Sequence, residues 1–464
     1  MWPSEVARAQ FQISGARVFG FNSRMSLPVR LLVAGILLLV LPLAQAADAP
    51  RWWKGNLHTH TLWSDGDDYP EMVVEWYKSS GYHFLALSDH NVLLEGTKWV
   101  ELLGPTRRGP RVDYRAGGMV FERYLARFGR PWVETREVEG QPEVRLKALH
   151  EFRSIFEEAD KFLLLPAEEI TGRWTDDSVA GQPPLSGPVH LGAINVREPI
   201  EPRTGRDALS IMQDAVNAVL AQRERTGQPM FPHLNHPNYR WGVTPEELMR
   251  VQGEKFFEIY NGHSGVRNAG DATHLSTEKM WDVVLAHRLT ELKLEPMFGI
   301  ATDDAHHYHT IQLGQENAGR GWVVVRAASL TPEALIAAME AGDFYASTGV
   351  TLAQVSREGA TLTVEVRAEA GVDYTIQFVG TPRDFDRRSE LMPAVPGTRP
   401  HRRYSDEVGR VLAEVKGALA SYTLRAGDLY VRAKIVSTKP KPNASSPDEV
   451  ECAWTQPLVA SGGP

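Results

Sequence analysis

Short apolar runs recur through the first two-thirds of this chain, and nearly every run ends in histidine, aspartate or glutamate. We interpret seven of them as strands, at residues 51–58, 84–91, 162–169, 189–196, 230–237, 256–263 and 296–307. Helix-like stretches such as EMVVEWYKSSG lie between them. Strands that alternate with helices predict an α/β fold with a parallel sheet, and so many repeats predict a barrel. Residues 321–327 are expected to form an eighth strand or an edge strand.

The polar residues fall at the carboxyl ends of these predicted strands. In a barrel of strands and helices, that face carries the active site. Polar loops alone would account for serine and asparagine at these positions, but not for repeated histidine, aspartate and glutamate. Fourteen of the fifteen histidines lie between His58 and His309. We therefore expect the functional site in this part of the chain, where the strand ends meet.

His58 and His60 stand two residues apart in the sequence NLHTH. On a strand, such residues point to the same face, so both imidazoles can bind one divalent ion. Asp65 follows in a turn that can fold back over the same site. The other strand ends supply further nitrogen and oxygen ligands: Asp89, His90, Glu168, Glu169, His190, His236, His263, Asp303, Asp304 and His306. This set exceeds the needs of one tetrahedral zinc ion and predicts two or three divalent ions, with manganese, zinc or iron as candidates.

From about residue 349 the pattern changes to alternating apolar and polar residues, as in TLTVEVRAE and LYVRAKIVS. Alternation with period two is typical of antiparallel strands with one buried face. We therefore predict two domains after the N-terminal segment. The first is a barrel domain over residues 50–348 that carries the metal site, and the second is an antiparallel β-sandwich over residues 349–464.

Residues 1–46 are predicted to be an N-terminal extension that includes a secretory signal peptide. Arg30 precedes an apolar run over residues 31–43, and a small-x-small cleavage site follows at residues 44–46. Because this run is short for a membrane span, we expect export to the periplasm or the medium, with no stable span after cleavage. Cys452 is the only cysteine, so no intrachain disulfide can form. The net charge of −8 disfavours extended nucleic acid and leaves a small molecule as the expected partner.

Seven motifs occur in the order HTHTLWSDG, LSDHN, AEEIT, GPVHLGAINV, LNHPN, EIYNGH and ATDDAHH. This ordered set resembles the motifs of the PHP superfamily (polymerase and histidinol phosphatase domain). The predicted export and the DFYASTG segment ahead of the β-rich tail resemble its carbaryl-hydrolase-like branch. The resemblance covers roughly residues 50–350.

The resemblance implies a distorted (β/α)7 barrel and a site with three metal ions. One ion would be held by His58, His60, Glu169 and Asp304, a second by Asp65, His90 and His306, and a third by Glu169, His190 and His236. Glu169 is preferred to Glu168 because the family glutamate directly precedes an Ile or Val, as it does here. Asp304 is preferred to Asp303 because it begins the DAH sequence. Asp89 is expected to orient a neighbouring ligand rather than to bind metal.

These residues predict an exported metal-dependent hydrolase, with a phosphoester as the expected substrate and a metal-bridging hydroxide as the nucleophile. His263 or Asp65 is expected to protonate the leaving group. Arg240 and Arg173 closely follow ligand motifs and are expected to bind an anionic substrate. A carbamate or carboxylic ester is an alternative substrate for the same metals, and it would need no such cation. An alternative of another class is a non-catalytic exported protein that binds metal or glycan.

Overall fold

The computed structural model describes residues 49–102, 106–108, 111–113, 117–178, 183–393 and 397–460. The predicted signal peptide lies outside the described residues. The chain from Asp48 to Pro464 forms one compact unit. Among the helices of the described ranges, none has the length and apolar character needed to cross a membrane.

The protein has a mixed α/β fold built around one large sheet. The helices are α1 (Pro70–Ser79), α2 (Met119–Phe128), α3 (Leu149–Phe156), α4 (Ala208–Thr226), α5 (Pro245–Leu248), α6 (Thr277–His287) and α7 (Pro332–Glu340), and a π-helix spans Arg288–Leu292. The first strands are β1 (Arg51–Asn56), β2 (Phe84–Leu87), β3 (Lys98–Glu101), β4 (Thr106–Arg108), β5 (Arg111–Asp113), β6 (Thr135–Val138), β7 (Gln141–Leu146), β8 (Leu163–Asp176), β9 (Leu185–Ile194), β10 (Thr204–Gly205), β11 (Phe231–Leu234), β12 (Phe256–Asn261), β13 (Phe298–Thr302), β14 (Trp322–Ala327) and β15 (Phe344–Ser347). The later strands are β16 (Leu352–Glu358), β17 (Thr361–Val366), β18 (Tyr374–Pro382), β19 (Ser389–Leu391), β20 (Arg402–Tyr404), β21 (Arg410–Lys416), β22 (Leu419–Thr423), β23 (Asp428–Pro440), β24 (Val450–Thr455) and β25 (Leu458–Val459).

Neighbouring strands of the large sheet follow the order β13-β12-β11-β9-β8-β2-β1-β14-β15-β24-β23-β18-β21. The eight runs interpreted as strands all lie in this sheet, as β1, β2, β8, β9, β11, β12, β13 and β14. An isolated parallel bridge between Thr59 and Ala305 also joins the chain just after β1 to the chain just after β13. The carboxyl ends of the first and last of the seven strands are therefore in contact.

The expectation of a wholly parallel sheet is wrong. β1, β2 and β8 run parallel, as do β11, β12 and β13. In contrast, β9 is antiparallel to both β8 and β11, and β14 is antiparallel to β1. The reason for the direction of β9 is the short connection between Asp176 and Leu185. It has no room for the crossover helix that a parallel neighbour requires, so the chain returns as a hairpin.

β1 and β2 approach each other so closely that one position between them requires glycine. A Cβ atom on Gly55 would lie 2.2 Å from the ring of Phe84, which is fully buried. Beyond the two strands, the backbone amide of Ser88 donates a 3.0 Å hydrogen bond to the carbonyl of Thr59. This close packing holds the segment that follows β1 against the segment that follows β2.

The residues between β2 and β8 form an inserted segment with two helices and the small sheet β3-β7-β6. Its helix α2 packs near the start of α1. The ring of Tyr124 stacks on Tyr69 with centroids 3.9 Å apart, and its hydroxyl donates a 2.7 Å hydrogen bond to Glu71. The described part of this segment is thus anchored to α1 by aromatic stacking and a buried hydrogen bond.

The C-terminal strands are antiparallel, as the alternating pattern predicts. β24, β23, β18 and β21 extend the large sheet beyond β15, whereas β16, β17 and β22 form a separate sheet. Buried side chains of both sheets, among them Leu362 and Ile376, pack in one hydrophobic cluster. The large sheet crosses residue 348 without a break, and the division into two domains at that point stays a prediction.

A buried ion pair ties helix α6 to strand β23. The guanidinium of Arg432 donates to both carboxylate oxygens of Asp282, at 2.9 and 2.6 Å, and both residues are at most 2% exposed. The hydroxyl of Tyr430 donates a further hydrogen bond of 2.8 Å to Asp282. Removing one member would leave the other charge buried without its partner.

We expect the Arg432→Met variant to lower the free energy of unfolding by about 3–5 kcal/mol, because the Asp282 carboxylate would remain buried and unpaired. Chemical denaturation of both proteins would measure this difference. The matched control is Arg388→Met, since Arg388 pairs with Asp386 at an exposed, solvent-screened site and its loss should change the stability far less. Equal effects of the two variants would contradict the assignment.

Candidate metal centre

Nine ligand-type side chains converge at the carboxyl ends of the strands. They are His58, His60, Asp65, His90, Glu169, His190, His236, Asp304 and His306. Their donor atoms form four overlapping groups, and within each group all atoms lie within 4.8 Å of one another. These are the nine residues predicted to bind metal. Their convergence is observed, and their binding of metal stays a prediction.

Two pairs of adjacent acidic residues occur among the candidates, Glu168 with Glu169 and Asp303 with Asp304. In each pair, the residue preferred from the sequence is the one that faces the histidines. Along β8, Glu169 points to the cluster, whereas Oε1 of Glu168 accepts a 2.6 Å hydrogen bond from the amide of Ile200. The carboxylate of Asp303 accepts hydrogen bonds from the hydroxyl of Tyr77 and from backbone amides, so Asp303 braces the backbone next to Asp304. Glu168 and Glu169 are successive residues of β8 and therefore point to opposite faces of the strand.

Glu169 is the centre of the cluster. Its Oε1 lies 3.2 Å from Nε2 of His58, and it lies 3.1 Å from both Nδ1 of His190 and Nε2 of His236. Its Oε2 lies 2.6 Å from Nδ1 of His90. One fully buried carboxylate therefore touches four imidazoles that come from four different parts of the sheet.

His58 and His60 turn one ring nitrogen each toward Asp304. Nδ1 of His58 lies 2.8 Å from Oε1 of the buried Glu258 and carries a proton, and Nε2 is the nitrogen that faces Asp304. Nδ1 of His60 is 3.2 Å from the hydroxyl of Ser64. The two Nε2 atoms lie 3.1 Å apart, and they lie 3.2 and 3.1 Å from Oδ1 of Asp304.

The expected orienting role of Asp89 fits its contacts. Its carboxylate accepts a 2.6 Å hydrogen bond from the hydroxyl of Ser64, which leaves the Ser64 oxygen as the acceptor for His60. Asp89 also accepts hydrogen bonds from the amide and the hydroxyl of Thr61. This chain of contacts keeps the proton of His60 on Nδ1 and its Nε2 toward the cluster.

Asp65 lies on the other side of the cluster, close to three of its histidines. Its Oδ1 lies 3.4 Å from Nε2 of His306, 3.5 Å from Nε2 of His90 and 3.6 Å from Nδ1 of His60. Nδ1 of His306 donates a 2.9 Å hydrogen bond to the backbone oxygen of Asp304, which leaves Nε2 of His306 facing Asp65. The turn predicted to fold back after the HTH sequence does so.

This donor set fits divalent cations. The lone pairs of His58 and His60 and the charge of Asp304 meet within 3.2 Å, which is repulsive unless a proton or a cation lies between them. Burial and the positive charges of His306 and His90 lower the pKa of His60 to about 3, so this imidazole carries no second proton at neutral pH. Imidazoles and carboxylates together are ligands for zinc, manganese and iron.

The carboxylates of the centre are held in their charged form. Burial raises the pKa of Glu169, but His190, His90 and His58 outweigh burial and hold this pKa well below its ordinary value. Burial likewise raises the pKa of Asp304, and the neighbouring His58 and His60 hold it well below its ordinary value. Buried charges of this kind need imidazolium or metal cations beside them.

Two residues of the centre have a left-handed backbone that residues other than glycine rarely adopt. The φ angle is 23° at His236 and 49° at Asp304. The amide of His236 donates a 2.7 Å hydrogen bond to Glu258, and the amide of Asp304 donates a 3.1 Å bond to the carbonyl of His58. Such conformations cost about 1–3 kcal/mol each and persist only where the surrounding contacts hold them.

A cavity of about 90 Å³ opens at the centre. It is lined by Asp65, His90, Glu169, His190, His236, Tyr239, His263, Asp304 and His306. The amide of Gly265 donates a 2.8 Å hydrogen bond to Nδ1 of His263, which places the ring proton of His263 on Nε2. Burial lowers the pKa of His263 to about 4. At neutral pH His263 is therefore a neutral hydrogen-bond donor at the cavity wall.

The two arginines predicted to bind an anionic substrate do not line this cavity. Arg173 is exposed on β8, where its guanidinium lies 3.4 Å from the hydroxyl of Ser186. Arg240 is exposed, and its guanidinium lies 5.4 Å from the ring centre of Tyr239. A position close to a ligand motif in sequence did not bring either side chain into the cavity lining. The catalytic roles of Arg173, Arg240, His263 and Asp65 stay predictions.

Three residues of the centre were not singled out from the sequence. Asn235 donates a 2.8 Å hydrogen bond to Oε1 of Glu169, and Asn261 donates a 3.1 Å bond to Oδ2 of Asp304. The ring of Tyr239 lies 5.2 Å from that of His236 and closes one wall of the cavity. Both asparagines lie inside the motifs LNHPN and EIYNGH, so polarity at a strand end was the signal available.

No protein-family model and no curated protein matches the chain. A solved structure that matches is a two-domain protein of Bacteroides vulgatus ATCC 8482, described as containing a predicted PHP-like metal-dependent phosphoesterase. The two chains are 14% identical, the match covers 88% of this chain and 95% of the other, and the TM-score is 0.36. At so low a TM-score, this likeness supports no inference about the site.

We expect the Glu169→Gln variant to lose at least half of the bound metal, because the central carboxylate touches four of the imidazoles. Elemental analysis of the purified protein, with circular dichroism as a check of folding, would measure this loss. The matched control is Glu168→Gln, which changes the adjacent carboxylate on the opposite face and should keep the metal. An unchanged metal content in Glu169→Gln would contradict the assignment.

The stability of the metal-free protein should fall as the pH rises from about 6.5 to 9. Burial lowers the pKa of His306, but Asp65 and Asp304 outweigh burial and raise it to about 9. A group with a raised pKa stabilises the fold below its unfolded pKa and loses that effect as the pH passes its folded pKa. Denaturation in a chelator at both pH values should show a loss on the order of 2 kcal/mol.

The His306→Asn variant is the control for this pH dependence, because it should remove the part of the loss that comes from His306. Metal-loaded protein should behave in the opposite way, since metal binds the deprotonated imidazole and gains affinity as the pH rises. A metal-free protein whose stability stays constant between these pH values would argue against the charged pair of His306 and Asp65.

Proposed function

We propose that this protein is a metal-dependent hydrolase of the PHP superfamily and that it acts on a phosphoester. The observation that carries the proposal is the convergence of all nine ligand-type residues, seven of which line one small cavity. The ordered motifs support the same proposal. Divalent ions bound there would lower the pKa of a water molecule and neutralise charge on phosphoryl oxygens.

The finer fold assignment is part of the proposal. We infer a distorted (β/α)7 barrel followed by a β-sandwich domain. The bridge between Thr59 and Ala305 supports closure of the barrel, although β9 runs antiparallel. The cluster shared by the two C-terminal sheets supports the sandwich. We also propose export, on the basis of the signal-like sequence within residues 1–46.

The residues of the chain would act in the reaction as follows. The ions would be held by all nine ligand-type residues, which are His58, His60, Asp65, His90, Glu169, His190, His236, Asp304 and His306. His263 would donate a hydrogen bond from Nε2 to the substrate, because its Nδ1 is already occupied as an acceptor. The cavity of about 90 Å³ would admit only the group that is cleaved, while the rest of the substrate would stay outside.

A carbamate or carboxylic ester is a second candidate substrate, and one observation favours it. The described residues that line the cavity include no lysine or arginine. A phosphoester would therefore obtain its positive counter-charge from the ions and from any imidazolium alone. A neutral ester would need none of this charge and would use the same activated water.

We expect the metal-loaded protein to hydrolyse para-nitrophenyl phosphate, to lose this activity in a chelator and to regain it when manganese or zinc is restored. The His263→Asn variant should lower kcat by about 100-fold if the hydrogen bond from Nε2 forms in the transition state. The control is His150→Ala, which changes an exposed histidine of α3. Aryl carbamates and carboxylic esters are assayed in parallel to separate the two candidates.

Full activity after complete removal of metal would refute the proposed function. Hydrolysis of the carbamate or carboxylic ester with none of the phosphate would establish the second candidate instead. A metal-loaded protein that is inert toward all three classes of ester would favour the non-catalytic alternative.

A further inference from the structure

Arg320 is a fully buried arginine that lies outside the cluster of nine ligand-type residues. Its guanidinium binds backbone carbonyls of two separate loops. Nη1 donates hydrogen bonds to the oxygens of Gly262 at 2.8 Å and Gln315 at 2.5 Å, and Nη2 donates to that of Gln312 at 3.2 Å. Arg320 thus joins the loop after β12 to the loop that precedes β14.

The third nitrogen of this guanidinium donates a hydrogen bond to a residue in the C-terminal part of the chain. Nε of Arg320 donates a 3.2 Å hydrogen bond to Oδ1 of Asn443, which lies in the connection between β23 and β24. Nδ2 of Asn443 donates a 2.6 Å bond to the backbone oxygen of Ala318. One amide side chain therefore fixes both the guanidinium and the backbone beside it.

The carbonyls that Arg320 binds belong to residues next to the cavity wall. Gly262 directly precedes His263, and Gln315 directly precedes Glu316. Oε1 of Glu316 lies 3.9 Å from Nε2 of His263, and its Oε2 lies 2.8 Å from Nδ1 of His307. The backbone oxygen of Glu316 also accepts a 2.8 Å hydrogen bond from the amide of His306.

We propose that Asn443, acting through Arg320, is a positioning residue that sets His263 at the wall of the cavity and Glu316 beside it. The C-terminal strands would thus contribute to the reaction without contact with substrate or metal. The inference rests on the proposed function, because it takes His263 as the group that contacts the substrate. It assigns a role to the connection between β23 and β24 that the hydrolase reaction alone does not require.

Kinetics of the full-length, metal-loaded protein with para-nitrophenyl phosphate test this role. The Asn443→Ala variant should lower kcat by about 10- to 100-fold with little change in KM, because His263 would lose its fixed position. Its metal content should equal that of the wild type. The conservative variant Asn443→Asp keeps the acceptor for Arg320 but loses the donor to Ala318, so it should restore part of kcat. The matched control is Ser446→Ala, an exposed position in the same connection, which should leave kcat unchanged.

The same substitution in a His263→Ala background separates positioning from general destabilisation. If Asn443 acts through His263, Asn443→Ala should cause little further loss of kcat in that background. An equal loss in both backgrounds would overturn the proposal. So would a loss of kcat in Asn443→Asp as large as that in Asn443→Ala.

Hydrogen exchange keeps the inference testable if the proposed function fails. In that case the metal-loaded wild type would hydrolyse no ester, and the kinetic arms would give no signal. Asn443→Ala should still speed amide exchange in residues 262–266 and 312–317, whereas Ser446→Ala should not. Unchanged exchange in both segments would overturn the positioning role, whatever the reaction is.

Discussion

The buried carboxylate of Glu169 is the interaction on which the rest of the centre depends. It can stay charged inside the protein only because four imidazoles surround it, and each imidazole belongs to a different segment of the sheet. The strands must therefore end at one level for this carboxylate to be compensated. Glu169 and its four imidazoles therefore come together only when the sheet has assembled correctly.

The strands and the nine ligand-type residues could be predicted from the sequence because their signals are local. Each of these strands is an apolar run that ends in polar residues, and each ligand-type residue lies within one of the seven sequence motifs. The antiparallel direction of β9 was not predicted, although the connection after Asp176 is too short for a crossover helix. The places of Arg173 and Arg240 could not be read, because nearness in sequence does not determine where a long side chain points.

Contacts between distant segments were beyond the reach of a single sequence. Arg432 meets Asp282 across 150 positions, and Asn443 meets Arg320 across 123 positions. Neither pair has a local pattern, since each depends on how β23 packs against the rest of the chain. The continuous sheet explains this dependence, because β24 pairs directly with β15 and β23 pairs with β24. The C-terminal strands are part of the structure that supports the centre.

The left-handed backbone at His236 and Asp304 has a consequence for how the centre takes up ions. Hydrogen bonds within the protein hold both residues in these conformations. The free-energy cost of the strained backbone is therefore offset when the protein folds, before any ion binds. An incoming cation then needs to order little of the chain, and less of its binding free energy is lost to conformational entropy. Uptake should accordingly resemble entry into a rigid chelator rather than folding around an ion.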